Sequence, residues 1–348
     1  MIAFVLLCTV LILGLVEYAS RREDLRHLQV TFSLDTQLTE PGETATLRYT
    51  VRNTSAFPLL YAGLTLSLEP VFTLREDEAF TRRRVREGFE GTRISHSFYL
   101  GPRQQFTGRL RFSVKKRGYY TLGRYYLESG DFLGLRPALR GEEIGCGIIC
   151  TAAPCSPPVI RALGGELGLV SVRRFLQDDP SMVLGYRDYT GREPMKQISW
   201  NQSARAGRLI VKQNDFTTDR AAAILVNMDP SRPALMERCL SLTASVCRWL
   251  EREKIPYSLQ SNGDLFSLKA GLGSSHLFFI ERRIGLSRLT GYTGFPDLID
   301  QALAQRRSGC TYIVLTPFRE KGFPEAVGRL ARHTDQKPIV ICAEEEHA

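Results

Sequence analysis

The period of the apolar residues changes once along this chain, and this change constrains the fold more than any other feature. Between residues 28 and 150, segments such as LQVTFSLD, ATLRYTVRN and TGRLRFSVKK alternate apolar with polar side chains. From residue 221 onward, unbroken apolar runs such as AAAILVNMD and CTYIVLTPF are separated by segments with apolar residues at helical spacing. The first pattern predicts strands with one buried face, and the second predicts strands that are buried on both faces between helices.

Residues 28–150 are predicted to form an antiparallel β-sandwich of immunoglobulin-like shape. Turn signals such as Glu40-Pro41-Gly42-Glu43 and Gly101-Pro102-Arg103 separate the alternating segments. Short strands with turns at this spacing are typical of two sheets packed face to face.

Residues 221–348 are predicted to form an α/β doubly wound domain with a parallel sheet, because strands and helices alternate along them. Residues 151–220 would form a connecting segment, so the fold class is multidomain. The expected strands lie at 221–229, 257–259, 310–318 and 338–343. The expected helices lie at 233–253, 275–289, 296–307 and 323–333.

An apolar run at residues 2–16, IAFVLLCTVLILGLV, contains no charge, and Arg21, Arg22 and Arg26 follow it. With residues 17–19 it makes a helix of about 27 Å at 1.5 Å per residue, which is just enough to span a bilayer. A signal peptide and a buried helix are the alternatives, but the run lacks a positive n-region and a clean cleavage site. We therefore expect a transmembrane anchor over residues 1–20. The positive-inside rule then predicts a single-pass protein of the cell membrane with the bulk of the chain in the cytoplasm.

Cysteine usage and net charge narrow the cellular context. Most of the eight cysteines lie in apolar runs such as IGCGIIC, where a free thiol packs as a small apolar group. This usage favours a reducing compartment over a disulfide framework. The net charge of +9 favours acidic partners. Because no nucleic-acid recognition motif accompanies this charge, we expect no nucleic-acid partner.

The stretch 191–213, GREPMKQISWNQSARAGRLIVKQ, is basic and holds one of the two tryptophans. Ile198, Trp200 and Val211 can turn apolar faces inward on short extended segments, and Trp200 would then be a buried plug. In this structural interpretation the stretch seals the junction of the two domains, with arginines such as Arg205 forked onto carbonyl or carboxylate oxygens. The alternative is a basic patch for an acidic partner, and both interpretations can hold together.

Read with the residues before it, this stretch resembles the signature of the domain-of-unknown-function 58 family. In that signature an Arg-acid-Tyr triplet precedes a Gly-acid turn, and a basic residue, an Ile-x-Trp and a Ser-Ala-Arg follow. One departure is Arg192, which separates the glycine from the acid in this chain. The matching residues are Arg187, Asp188, Tyr189, Gly191, Glu193, Lys196, Ile198, Trp200, Ser203, Ala204 and Arg205.

The resemblance covers most of the chain, since KKRGYYTLGRYYLESGDFLGL (115–135) is similar to the segment that precedes the signature in this family. It implies that residues 221–348 form a von Willebrand factor A-like domain and that a membrane segment lies at the N-terminus. Members of the family are usually encoded beside MoxR-type AAA+ ATPases. The resemblance therefore implies such an ATPase as the protein partner.

The A-like domain raises the question of a metal. Such domains can bind Mg²⁺ through Asp-x-Ser-x-Ser after the first strand together with a distant Thr and Asp, since hydroxyl and carboxylate oxygens suit this ion. Asp229 and Ser231 match the motif, but Pro233 replaces the second serine, and Thr316-Pro317 brings no acid. We therefore interpret Asp229 and Ser231 as a degenerate metal site and expect no metal, with Mg²⁺ as the alternative cofactor. A purely structural role for Asp229 is to accept backbone N–H groups at the start of the next helix.

These observations predict a membrane-anchored cytoplasmic interaction or adaptor protein that acts with a MoxR-type AAA+ ATPase. The chain lacks G-x-x-x-x-G-K, H-E-x-x-H and G-x-S-x-G, and its five histidines are scattered. We therefore assign no catalytic residue and expect that the protein is not an enzyme. The alternative function is metal-dependent ligand binding by an A-domain.

Overall fold

The chain forms two compact units, residues 1–153 and residues 154–348. The computed structural model describes residues 6, 8–12, 14–15, 18, 25–56, 58–75, 83–88, 91–130, 137–155, 177–191, 195, 198–217, 221–265, 269–305, 310–334 and 337–344. Among them, no helix combines the length and the apolar character that crossing a bilayer requires. Residues 1–5, 7, 13, 16–17 and 19–20 of the expected anchor lie outside the described residues.

In the first unit, the described residues among 6–18 are helical, a 3-10 turn follows at Leu25–His27, and the regular elements after it are strands. The strands are β1 (Leu28–Leu34), β2 (Leu38–Thr39), β3 (Thr44–Asn53), β4 (Leu59–Leu68), β5 (Phe72–Leu74), β6 (Arg83–Gly88), β7 (Gly91–Leu100), β8 (Gln105–Val114), β9 (Gly118–Thr121), β10 (Arg124–Gly130), β11 (Pro137–Glu143) and β12 (Gly147–Cys150).

Two antiparallel sheets make up most of this unit, in the orders β1-β3-β8-β5 and β11-β10-β4-β7-β6. Leu47 and Val51 of the first sheet share one buried core with Leu64 and Leu66 of the second. Burial alternates along β3, as the period of two requires. The prediction of a β-sandwich is therefore confirmed. A smaller sheet of order β2-β12-β9 completes the unit.

A tyrosine packed over a glycine joins two strands of the first sheet. Tyr49 of β3 lies directly opposite Gly108 of β8, and a Cβ atom at position 108 would lie 2.2 Å from the Tyr49 ring. Tyr49 is only 2% exposed, and its hydroxyl lies 3.2 Å from Nδ1 of His96. Burial and this hydrogen bond fix the ring, so only glycine leaves room for it.

We expect Gly108→Ala to destabilise the sandwich by about 1–3 kcal/mol, the usual cost of overpacking a core. Gly63→Ala is the matched control, because a Cβ there would meet its nearest atoms at 3.5 Å, an ordinary contact distance. Native-state amide exchange in β3 and β8 measures the effect. Equal exchange rates in the two variants would contradict this account of Tyr49.

The second unit combines an antiparallel hairpin with an α/β sheet. Its strands are β13 (Gln177–Asp188), β14 (Ile210–Thr217), β15 (Ala222–Val226), β16 (Tyr257–Ser261), β17 (Thr311–Thr316) and β18 (Ile339–Cys342). Its helices are α1 (Trp200–Ala206), α2 (Pro233–Arg252), α3 (Ser274–Leu286), α4 (Phe295–Ala304) and α5 (Phe323–Arg332).

The sheet β16-β15-β17-β18 is parallel throughout, so the predicted α/β domain with a parallel sheet is confirmed. From β15 the chain winds to one side, to β16, and from β17 to the other side, to β18. Right-handed crossovers therefore place α2 and α5 on opposite faces. Buried residues of α4 and α5, such as Ile299 and Leu330, share one core with Leu225 and Val314 of the sheet. The direction of winding reverses between β15 and β17, which is where open sheets of this type form a crevice at their carboxyl edge.

Candidate functional site

Two buried asparagines organise the loops at the carboxyl edge of the parallel sheet. Asn262, just after β16, accepts a hydrogen bond from the Met228 backbone N–H at 2.6 Å and donates to the Thr293 carbonyl at 2.8 Å. It also donates to Oδ1 of Asn227 at 3.2 Å. Asn227 follows β15, and both asparagines are 5% exposed or less.

The loop after β17 joins the same network through Asn227. The Asn227 amide nitrogen lies 3.2 Å from Oγ1 of Thr316 and 3.2 Å from Oε1 of Glu320, and it donates to both. The Thr316 hydroxyl in turn donates to the Phe318 carbonyl at 2.6 Å. The hydroxyl and amide groups beneath this edge are therefore bonded to one another.

Asp229 and Glu320 form an acidic pair at the rim of the crevice. Oδ1 of Asp229 accepts the Ser231 backbone N–H at 2.7 Å. Burial raises the pKa of Asp229, but hydrogen bonds from Ser231 and Glu320 and the charge of Arg232 outweigh it and lower that pKa below its ordinary value. Burial raises the pKa of Glu320, and the adjacent Asp229 raises it further against the hydrogen bond from Asn227. Of the two carboxyls, Glu320 is therefore the one that takes up a proton first as the pH falls.

The structure gives Asp229 a role close to the structural alternative from the sequence. Asp229 accepts a backbone N–H in the turn before α2, while Arg232 occupies the position that caps this helix and makes no side-chain capping bond. The Arg232 guanidinium bonds Oε1 of Glu344 at 2.7 Å and stacks on the Phe318 ring at 4.5 Å. An acidic partner group at Arg232 would therefore compete with these two contacts inside the chain.

The residues at this edge do not fit a Mg²⁺ ion. Pro233, in place of the second serine, begins α2, and the Thr316 hydroxyl is directed to the Phe318 carbonyl. Within the described residues, no three His, Cys, Asp or Glu side chains lie close enough together to hold a metal. The raised pKa of Glu320 beside Asp229 also opposes the ionised carboxylates that a metal site requires.

We expect Glu320→Gln to stabilise the second unit at neutral pH. A carboxyl with a raised pKa in the folded state stabilises folding most at low pH, and this contribution is lost as the pH rises through the raised pKa. The amide keeps an oxygen for Asn227 and donates to Asp229 without a charge. The variant and the wild type should therefore unfold alike below pH 4.5, the ordinary pKa of Glu320, and the variant should be more stable above it. Thermal unfolding between pH 4 and 8 checks this, and a difference that is independent of pH would contradict it.

The family signature lies on the hairpin of β13 and β14 and on α1 between these strands. Ile198 bridges to Val211, and the two residues are 5% and 1% exposed. Ser203 is 8% exposed. Its hydroxyl accepts the Ile210 N–H at 2.8 Å and lies 3.4 Å from the Ile210 carbonyl oxygen, to which it donates. Gly207, at a φ of 66°, ends the helix and lets the chain turn back into β14.

Trp200 is 60% exposed at the first position of α1, so the prediction of a buried plug is wrong. The inward positions are taken by Ile198 and Val211, and the start of α1 carries the indole outward. Arg187, Gly191, Ala204 and Arg205 are exposed and Tyr189 is half-buried, while Lys196 lies outside the described residues together with Arg192 and Glu193.

Other large side chains of the stretch are exposed as well. Met195 is 67% exposed and Leu209 is 44% exposed. The Arg208 guanidinium bonds Oδ2 of Asp188 at 3.0 Å, and both side chains remain more than half exposed. The structural role of the signature therefore rests on Ile198 and Ser203, while Trp200, Arg187 and Arg205 face solvent.

We expect Ser203→Ala to destabilise the hairpin by about 1 kcal/mol, because the Ile210 N–H loses its acceptor. Trp200→Ala should change stability by no more than about 0.5 kcal/mol, as is usual for an exposed position. Exchange of the Ile210 amide hydrogen measures both effects. A large loss of protection in the tryptophan variant would restore the buried plug.

Asn227, Asn262 and Glu320 were not predicted as site residues from the sequence. Their signal was present, because each polar residue stands just after a buried strand or in the turn that follows it. Strand ends of a parallel sheet meet at one edge, so such residues can be expected to converge.

Comparisons with known proteins add little to this geometry. No family model and no curated protein matches the chain. It is similar to the major pilin subunit BcpA of Bacillus cereus, at 9% identity and a TM-score of 0.27 over 36% of this chain and 41% of the pilin. It is also similar to a cohesin module from a Clostridium perfringens family 33 glycoside hydrolase, at 11% identity and a TM-score of 0.25 over 35% of this chain and 96% of the module. The chain thus spans less than half of the pilin, and TM-scores this low do not establish a shared fold.

Proposed function

We propose that this protein is a membrane-anchored cytoplasmic adaptor that acts with a MoxR-type AAA+ ATPase. The apolar run 2–16 followed by Arg21, Arg22 and Arg26 supports the anchor and its orientation. The resemblance of residues 115–135 and of the signature to the domain-of-unknown-function 58 family supports the partner. With it we infer that the sandwich is immunoglobulin-like and that the parallel-sheet domain is von Willebrand factor A-like.

The observation that carries this proposal is the construction of the carboxyl edge. Asn227 and Asn262 tie the loops after β15, β16 and β17 together. Pro230, Ser231 and Arg319 are exposed above this network. Because the polar groups beneath are bonded to one another, the loops present a fixed surface that needs little ordering when a protein binds.

A metal-dependent binding domain, the alternative from the sequence, is not proposed. Asp229 already accepts the Ser231 N–H, and its neighbour Glu320 has a pKa raised by burial and by Asp229. A pair in which one carboxyl has a raised pKa is poorly suited to a divalent cation, which requires ionised carboxylates.

We expect the full chain in detergent micelles to bind the purified hexameric MoxR-type ATPase of the same cell. Arg319→Glu reverses a charge at the carboxyl edge and should weaken binding at least tenfold. Arg252→Glu makes the same change at the end of α2, just before β16 and thus at the opposite edge of the sheet, and should change binding less than twofold. Biolayer interferometry at low and high salt measures these effects, since an interface with charged groups weakens as salt is added.

Two results would contradict this proposal. One is the absence of binding at about 10 μM ATPase, a concentration at which a complex with a binding free energy of roughly −7 kcal/mol would be detected. The other is an equal loss of binding in the two arginine variants, which would place the contact away from the carboxyl edge.

A further inference from the structure

Strand β9 lies at the edge of the small sheet β2-β12-β9. On one side it pairs with β12 in antiparallel register, with Thr121 opposite Gly147 and Tyr119 opposite Ile149. No described residue pairs with its other side. Its sequence belongs to the segment 115–135, to which neither the carboxyl edge nor the signature gives a role.

The register shows which backbone groups of β9 are left open. The Leu122 N–H donates to the Cys146 carbonyl at 3.1 Å, so Leu122 and Cys146 form a hydrogen-bonded pair of the ladder. Such pairs alternate with non-hydrogen-bonded pairs, and the N–H and C=O groups of Tyr119 and Thr121 therefore point away from β12. The partner strand agrees, because the Ile149 N–H also points away from β9 and donates to the Gln37 carbonyl at 2.9 Å.

A surface cleft of about 430 Å³ lies against these open groups. Tyr119 and Thr121 line it from β9, and Ser67, Leu68 and Glu69 line it from the end of β4. Tyr119 is 56% exposed. The volume falls in the range of ligand sites, and the cleft adjoins the strand whose outward backbone groups are unpaired among the described residues.

The charges around β9 differ between its two ends. Lys115 and Lys116 are exposed directly before the strand. At the other end, Glu143 also lines the cleft, where it pairs with Arg124 at 3.9 Å. A strand that docks antiparallel to β9 passes the two lysines with its C-terminal end, and acidic side chains there complement their charge.

We propose that the open edge of β9 binds an extended peptide segment of a partner protein that carries acidic residues at its C-terminal end. The segment would add a fourth strand to the sheet, with main-chain hydrogen bonds to Tyr119 and Thr121 and its acidic side chains beside Lys115 and Lys116. This binding site lies in the first unit and is independent of the adaptor surface proposed above.

Peptides are selected from a phage-displayed library of random ten-residue sequences on the full chain in detergent micelles. Fluorescence anisotropy then measures the affinity of the selected peptides. We expect Asp and Glu to be enriched near the peptide C-terminus. Thr121→Pro removes an outward N–H and should weaken binding at least tenfold. Leu139→Pro is the matched control on another edge strand, β11. The Ile144 N–H donates to the Gly123 carbonyl at 3.1 Å, so by the same alternation the Leu139 N–H points outward from β11. This variant should bind the peptides as the wild type does.

A second variant keeps the test decisive if Thr121→Pro fails to fold by circular dichroism. The double substitution Lys115→Glu and Lys116→Glu, at exposed positions outside the ladder, should weaken the acidic-ended peptides at least tenfold. Selection of no peptide, or of peptides whose binding neither change affects, would overturn the proposal. Dimerisation of the protein through β9 would also overturn it. Light scattering would then show a dimer that Thr121→Pro converts to a monomer.

Discussion

One buried amide, the side chain of Asn262, ties together the loops on which the carboxyl edge depends. It bonds the Met228 N–H after β15 and the Thr293 carbonyl before α4, and it stands itself at the end of β16. Asn227 extends the connection to Thr316 after β17. Leaving any of these buried groups unpaired would cost about 1–3 kcal/mol. Hydrogen bonds between these polar groups therefore hold the loops of the edge in place, and apolar packing alone would not fix the conformation of the loops.

The same edge also contains an acidic pair whose negative charges would repel each other. Asp229 and Glu320 are two carboxyls in contact, and a low dielectric makes it costly to ionise both. The pKa of Glu320 is raised and that of Asp229 is lowered, so Glu320 takes up a proton before Asp229 as the pH falls. In the proposed adaptor a partner would contact the outer loops of this surface, and a change of pH alters the charge of the acidic pair first at Glu320.

The sequence predicted the strands and helices whose apolar residues recur at a spacing set by which of their faces are buried. The four parallel strands and their helices lie within a few residues of the predicted bounds, because unbroken apolar runs and helical spacing leave little choice. The hairpin of β13 and β14 escaped prediction, since Asp178-Asp179-Pro180 interrupts its apolar pattern and the ladder shifts register between Asp179 and Val183. The burial of Trp200 was also predicted wrongly. An indole is usually buried, but a helix begins at position 200 and directs the Trp200 side chain outward.

Several edge strands of the sandwich are protected in ways that β9 is not. Natural sheets protect open edges with charged residues, proline or short strands. Strand β6 has the sequence RRVREG, β11 has PALRGEE, and β5 spans only three residues. Strand β9, with the sequence GYYT, has none of the charged residues or prolines that protect β6 and β11, and its flanking lysines stand outside the ladder. Strand β1, with the sequence LQVTFSL, is a further edge without charge or proline. The cleft against β9 is therefore what marks β9 as the edge at which a selected strand can bind.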